Sequence, residues 1–294
     1  MEHRRIDPHH VTAAALAGRA FRATNSLHSL VYFVPQAEEE FTAIGLRPGS
    51  MPYFASRSAP MGAVSAGVTT ATFYNFSPTM VARHIPRAWT LASPADILAA
   101  RLRLADRALR RLLGATVNSA DVLELGALAR EASTALAPEG RPLYAGHAGL
   151  EWPDEPHLVM WHAITLLREY RGDGHIAALV AAGLSGIDAL ITHCATGRGM
   201  TMQAAQRLRG WTDEQWSEAV AGLNERGLLA GDQLTAAGVA LREQVEEDTD
   251  RMDVAAWRHL GEERTLRLIE LGKELSRAVA ANGAFPSGVF ATAR

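Results

Sequence analysis

The chain has 294 residues, 48% hydrophobic and 21% charged, a balance that supports one large domain or two ordinary ones with a sizeable core. A net charge of −3 and a pI near 6.4 exclude a global electrostatic pull toward nucleic acid or anionic membrane, so any DNA contact needs a local basic patch. A single cysteine, Cys194, excludes a disulfide framework and a cysteine-rich zinc site and fits a reducing compartment.

The first ten residues carry no apolar h-region, and no apolar run reaches the roughly 18 residues a membrane span needs. A soluble, cytoplasmic protein without membrane contact is expected. Residues 8–34 read as a helix, and Glu38, Glu39 and Glu40 as a solvated helix face. After a turn-rich break at 45–52, the apolar run 63–76 reads as a buried helix, and Ser77-Pro78 opens a short one. Ser93-Pro94-Ala-Asp96 supplies a cap, a proline at the first helical position and an acidic first turn for a helix to Leu113. Another helix covers 119–136. The Gly/Pro-rich stretch 138–156 reads as a linker.

In the second half, 157–170 and 174–182 read as two helices, followed by a third over 185–194 and a short one over 202–208. Thr212-Asp-Glu-Gln215 has the capping-box pattern and opens a helix to Arg226. Gly227-Leu-Leu, a polar loop and Leu234-Thr235 then read as a small β-hairpin, followed by helices over 239–252 and 255–281. The expected division is 1–145, 146–254 and 255–294.

The order short helix, turn, capped helix, hairpin, long helix over residues 201–250 resembles a MarR-like winged helix, with 212–226 as recognition helix. The first half repeats the order without the hairpin. Arg87-Ala-Trp89 before the Ser93 helix matches Arg209-Gly-Trp211 before the Thr212 helix, and Arg110-Arg-Leu-Leu-Gly114 matches Arg226-Gly-Leu-Leu-Ala230. The fold expectation is therefore mainly α, with two winged-helix-like halves related by internal duplication and a small β-hairpin wing in the second. Three further stretches are Tyr53-Phe-Ala-Ser-Arg-Ser-Ala-Pro-Met-Gly62, Ala71-Thr-Phe-Tyr-Asn-Phe-Ser-Pro78 and Arg168-Glu-Tyr-Arg-Gly-Asp-Gly-His175. On these the chain resembles an actinobacterial family of helix-turn-helix proteins. The resemblance implies a fold and no reaction.

DNA contact is disfavoured by charge. Between Trp211 and Arg226, Asp213, Glu214, Glu218 and Glu225 stand against Arg226 alone, and acidic groups at a recognition helix oppose phosphates. In the first half Arg103, Arg107 and Arg110 form a stripe at i, i+4 and i+7, either an anion or DNA contact or a solvated face.

The candidate site lies on the helix 157–170, which is apolar almost all round and so reads as buried. His162, Thr165, Glu169 and Asp173 nevertheless fall in one row, flanked by Arg168, Arg171 and His175. Two readings follow: a satisfied buried network, or a pocket in which Glu169, His175 or Asp173 does acid–base chemistry and arginines hold an anionic ligand. His162, Glu169, Asp173 and His175 also suit iron, zinc or manganese as ligand types, without any standard metal spacing, so no cofactor is assigned. Gly172-Asp-Gly174 before a helix would offer amides to an anion. Under the duplication, Tyr53, Arg57, Tyr74 and Asn75 face this row across a cleft. His147, His193 and Cys194 stand alone and read as structural. The leading expectation is a small-molecule ligand bound between the halves. The alternative is a MarR-like, ligand-responsive regulator that binds DNA as a homodimer.

Overall fold

The structure, a computed structural model, describes residues 8–197 and 199–286. Residues 1–7 and 287–294, part of the stretch judged for a leader and most of the tail expected to be irregular, lie outside this range. The described residues are mainly α-helical, as expected. In chain order the helices are α1 (Pro8–Ser29), α2 (Gln36–Ala43), α3 (Met51–Ser58), α4 (Ala66–Phe73), α5 (Pro78–His84), α6 (Pro94–Leu113), α7 (Ala120–Ser133) and α8 (Pro142–Ala148). Then come α9 (Pro156–Ala181), α10 (Gly186–Ala195), α11 (Met202–Arg209) and α12 (Asp213–Glu225). A hairpin of β1 (Leu229–Ala230) and β2 (Gln233–Leu234) precedes α13 (Ala236–Met252), α14 (Val254–Leu260) and α15 (Glu262–Ala281).

Local sequence sets several of the helix starts. Ser93, Ser185 and Thr212 form complete capping boxes with Asp96, Asp188 and Gln215, each cap contributing about 1 kcal/mol. The hairpin pairs Leu229 with Leu234 and Ala230 with Gln233. Its turn is pinned by Asn224, whose side chain accepts from Gly231 N at 2.8 Å and donates to Gly231 O at 3.0 Å.

Two apolar cores result. The larger joins α1, α3, α6, α7, most of α9, α14 and α15. The smaller joins the last turns of α9 (Ala178, Leu179) to α10, α12, β1 and α13. The C-terminal helix α15 lies along α1, so the two ends of the described chain close one core. No single helix among the described residues is long and apolar enough to cross a membrane.

Four expectations need correction. The two helices expected over 157–182 are one, α9, of 26 residues. A glycine inside a helix costs about 1 kcal/mol, and tertiary packing outweighs it here. At Gly174 the side chain of Arg141 crosses the helix, bonded to the Tyr170 and Met252 carbonyls, and a Cβ there would lie 2.2 Å from Arg141 Nη1. Gly172-Asp-Gly174 is therefore helix interior, and its amides cannot cradle an anion. The run 63–76 gives only the short α4, with Gly67, Val68 and Ala71 exposed, not a buried helix. The stretch 138–156 is not a bare linker, because it contains α8, whose Leu143, Tyr144 and His147 are buried. Finally, Glu40 is buried rather than solvated, and with Glu39 it neutralises the basic stripe. Arg103 and Arg107 bind Glu40 at 3.1 and 2.7 Å, and Arg107 also reaches Glu39 at 2.8 Å. Arg110 pairs with Asp106 at 2.8 Å and Glu155 at 3.4 Å, so the stripe is committed internally and offers little to a phosphate.

Candidate functional site

A cleft of about 260 Å³ opens between the two cores. Tyr53 and Arg57 of α3 and the turn Phe73–Phe76 after α4 form one wall. The floor is α9, through Arg168, Asp173, His175 and Leu179. The far wall comes from Ala189, Leu190 and His193 of α10, with Arg209 and Arg242 from α11 and α13. Of the residues singled out in the sequence, Tyr53, Arg57, Tyr74, Asn75, Arg168, Asp173 and His175 meet here. His162, Thr165, Arg171 and the Glu169 carboxylate do not line the cleft.

The turn after α4 is held from the far wall. Tyr74 has φ 54°, a left-handed backbone rare for a residue with a Cβ. Its hydroxyl donates to Leu184 O at 2.5 Å, Trp211 Nε1 donates to Asn75 O at 3.0 Å, and Ser77 N donates to Arg209 O at 2.8 Å. These bonds over-determine the strained residue. The start of α10 lies directly against it, since a Cβ on Gly186 would sit 2.0 Å from Tyr74 O. Backbone on backbone cannot yield cheaply. Gly186→Ala is therefore expected to lose about 1–3 kcal/mol. Gly222→Ala, in α12 with nothing within 4 Å, is expected to gain up to about 1 kcal/mol. Urea unfolding of both variants checks the pair, and equal effects would refute the close contact.

Beneath the cleft floor, Glu169 is fully buried. Its Oε1 accepts from Arg57 Nε at 3.3 Å, and Oε2 accepts from Arg57 Nη2 at 3.0 Å and Arg168 Nη1 at 2.5 Å. Burial alone would raise its pKa, but Arg168 and Arg57 hold it well below the carboxylate range. Glu169 thus holds two arginines as a shared counter-ion beneath the cleft, and its carboxylate does not line it. Thr165 donates to Trp161 O at 2.8 Å, so His28 Nδ1, 3.0 Å away, donates to Thr165. His28 Nε2 then accepts from the Tyr32 hydroxyl at 3.2 Å. Burial, then Arg168, keep His28 neutral.

The rest of the expected row disperses. His162 packs edge-on against Trp152, 4.7 Å between centroids, and burial lowers its pKa to about 4. Arg171 pairs with Asp250 at 2.6 Å and Glu246 at 3.3 Å and lies over Phe21. Asp173 Oδ2 accepts from Leu143 N at 3.0 Å and Tyr144 N at 2.9 Å, capping α8. Burial nevertheless pushes its pKa up to about 6. The four types suited to a metal are therefore apart, and no His/Cys/Asp/Glu group able to hold one occurs among the described residues. Cys194 is buried and its thiol is pushed up to about 11 by burial, an unreactive thiol.

His175 lines the cleft. Thr249 donates to Val245 O at 2.6 Å, so His175 Nδ1 donates to Thr249 at 2.9 Å and Nε2 keeps its lone pair. Burial lowers the ring to about 4. Tyr53, whose hydroxyl accepts from Arg57 Nη1 at 3.1 Å, would be raised by burial. Arg57, Arg209 and Arg168 reverse this and lower it. Arg209 and Arg242 were missed in the sequence, and His193, read there as structural, also lines the cleft. Arg242 had a readable signal: Arg242, Val245 and Thr249 are buried on one face of α13 at the same i, i+3, i+7 spacing as the α9 row.

The exposed face of α12 carries Asp213, Glu214, Glu218 and Glu225, and its closing Arg226 turns back to Asp188 at 3.5 Å. The preceding turn is docked on the first half through Trp211 and Arg209. A model of a helix-turn-helix family matches residues 17–286. The chain belongs to this helix-turn-helix family. The match takes in both cores, so the family pattern is that of the whole assembly and not of α11 and α12 alone. No curated protein and no solved structure matches the chain.

Proposed function

We propose that this helix-turn-helix family member binds a small molecule in the cleft between its cores, and that α10, α11 and α13 serve as a wall of that cleft. The observation that carries this reading is convergence. Arg57 and Arg168 arrive from the larger core, Arg209 and Arg242 from the helix-turn-helix side, and all line one open cleft. Any proton transfer on the ligand falls to the titratable groups that line the cleft, His175, Asp173 and Tyr53 among them. The halves are read as a duplication in which α6 is the counterpart of α12, supported by the complete capping box at both starts. The second half is read as MarR-like on its order α11, α12, hairpin, α13.

DNA recognition is the weaker reading because the groove-facing end of α12 is acidic and the loop Gly231-Asp232 carries no cation. Native mass spectrometry of the protein from its own host, beside Ala189→Trp, tests the choice. A retained small molecule that disappears when tryptophan fills the cleft is the expected result. Duplex DNA bound below micromolar Kd at 150 mM salt, and weakened by substitutions on the exposed face of α12, would overturn it.

A further inference from the structure

The arginines of the cleft fall into two groups. Arg57 Nη1 donates to the Tyr53 hydroxyl at 3.1 Å, and Arg209 and Arg168 join Arg57 in lowering its pKa. Glu169 is shared by Arg57 and Arg168, and no ion pair to Arg209 occurs among the described residues. Among the described residues Arg168 Nε and Arg209 Nε have no hydrogen-bond partner. Arg242 has a side chain only 6% exposed. Its Nη2 reaches Glu246 at 3.2 Å, while Nε and Nη1 have no partner among the described residues. Asp173, the one carboxylate lining the cleft among the described residues, already serves the α8 amides. Arg57 lies over Phe73 at 4.6 Å and Arg209 over Phe76 at 4.3 Å, and Leu179 and Leu190 also line the cleft.

Buried guanidinium donors are stabilised by an anion that meets their fork, and these donors fall in two groups with different neighbours, Glu169 beside Arg168 and Glu246 beside Arg242. On the cleft-binding reading, we infer that the ligand is an organic dianion. One acidic group sits at Arg168 and Arg209 near Tyr53, and the other at Arg242. The space is adequate: a cavity of about 150 Å³ accepts benzene, and this cleft has about 260 Å³.

Calorimetric titration of the full chain with four probes tests this: benzene-1,4-dicarboxylate, benzoate, phenyl phosphate and the neutral dimethyl ester of the dicarboxylate. The dicarboxylate is expected to bind at least about tenfold more tightly than any of the others. Arg242→Gln should reduce it to the level of benzoate while leaving benzoate itself nearly unchanged. Benzoate matching the dicarboxylate, or phenyl phosphate matching it, would show that one charged pole suffices and overturn the dianion. Equal binding of the diester would overturn it on charge. The wild-type comparison needs no variant to fold. Failure of all four probes also overturns it. If the probes bind but Ala189→Trp changes nothing, the cleft reading itself falls. If only the neutral ester binds and Ala189→Trp abolishes it, the cleft reading stands and the dianion falls.

Discussion

Replacing Glu169 with glutamine is expected to remove about 3–5 kcal/mol of folding stability, because it strips the shared counter-charge from two guanidinium groups beneath the cleft. Arg57 is buried and Arg168 is three-quarters buried, and each donates to this carboxylate. The amide is nearly isosteric, so lost charge, not lost volume, dominates. Guanidinium unfolding should show the loss directly, and the melting point should fall by about 10 °C. A second substitution, Arg57→Met, should restore part of it by removing one uncompensated charge. A single-variant loss below about 1 kcal/mol, or a double variant as unstable as the sum of the singles, would refute the shared-anion picture.

Acidification from pH 7 to pH 5 is expected to weaken the fold by roughly 3 kcal/mol, most steeply near pH 5. Burial holds His28 and His147 well below 6.5, His162 and His175 at about 4, and lowers His84 as well. Their folded pKa values are depressed, so the unfolded chain takes up protons first. Stability is full above about 6.5 and drains as pH falls toward the folded values. Three carboxylates act in the opposite sense. Burial raises Asp253 to about 7 and Asp173 to about 6, and raises Asp250 too. Their folded forms protonate before the unfolded ones, which adds stability as pH drops. Five histidines against three aspartates leave a net uptake of about two protons on unfolding near pH 5, or about 2–3 kcal/mol per pH unit. The two amides on Asp173 oppose its rise and so steepen the loss. Urea midpoints at pH 7, 6 and 5 measure it, and a flat profile would show that these histidines are hydrated when folded.

What the sequence disclosed was mostly local. The boxes at Ser93, Ser185 and Thr212 are properties of four residues each, and all three helices start where those residues place them. The apolar surround of 157–170 marked α9 as buried for the same reason. The polar row on α9 was read as a row, but each turn of that face meets a different neighbour. His162 meets Trp152, Thr165 meets His28, Glu169 meets Arg57, and Asp173 meets the start of α8. Helical periodicity identifies a face and says nothing of what packs on it. Tyr53, Arg57, Tyr74 and Asn75 were placed near α9 by pairing the two halves, and they do line its cleft. Arg209 and Arg242 were missed because they arrive from helices distant in the chain. The glycines at 172 and 174 were misread because glycine usually breaks a helix, whereas Gly174 keeps this one clear of Arg141.

The single rod α9 has one more consequence. Its 26 residues span about 39 Å, holding Glu169 in the larger core and Leu179 in the smaller. No hinge separates them, so the angular setting of the helix-turn-helix unit is written into residue count. One residue gained or lost between these positions would turn the smaller core by about 100° about the helix axis. Arg209 and Arg242 would swing away from Arg57 and Arg168, and the Tyr74 turn would lose its seat. The length of this segment cannot drift.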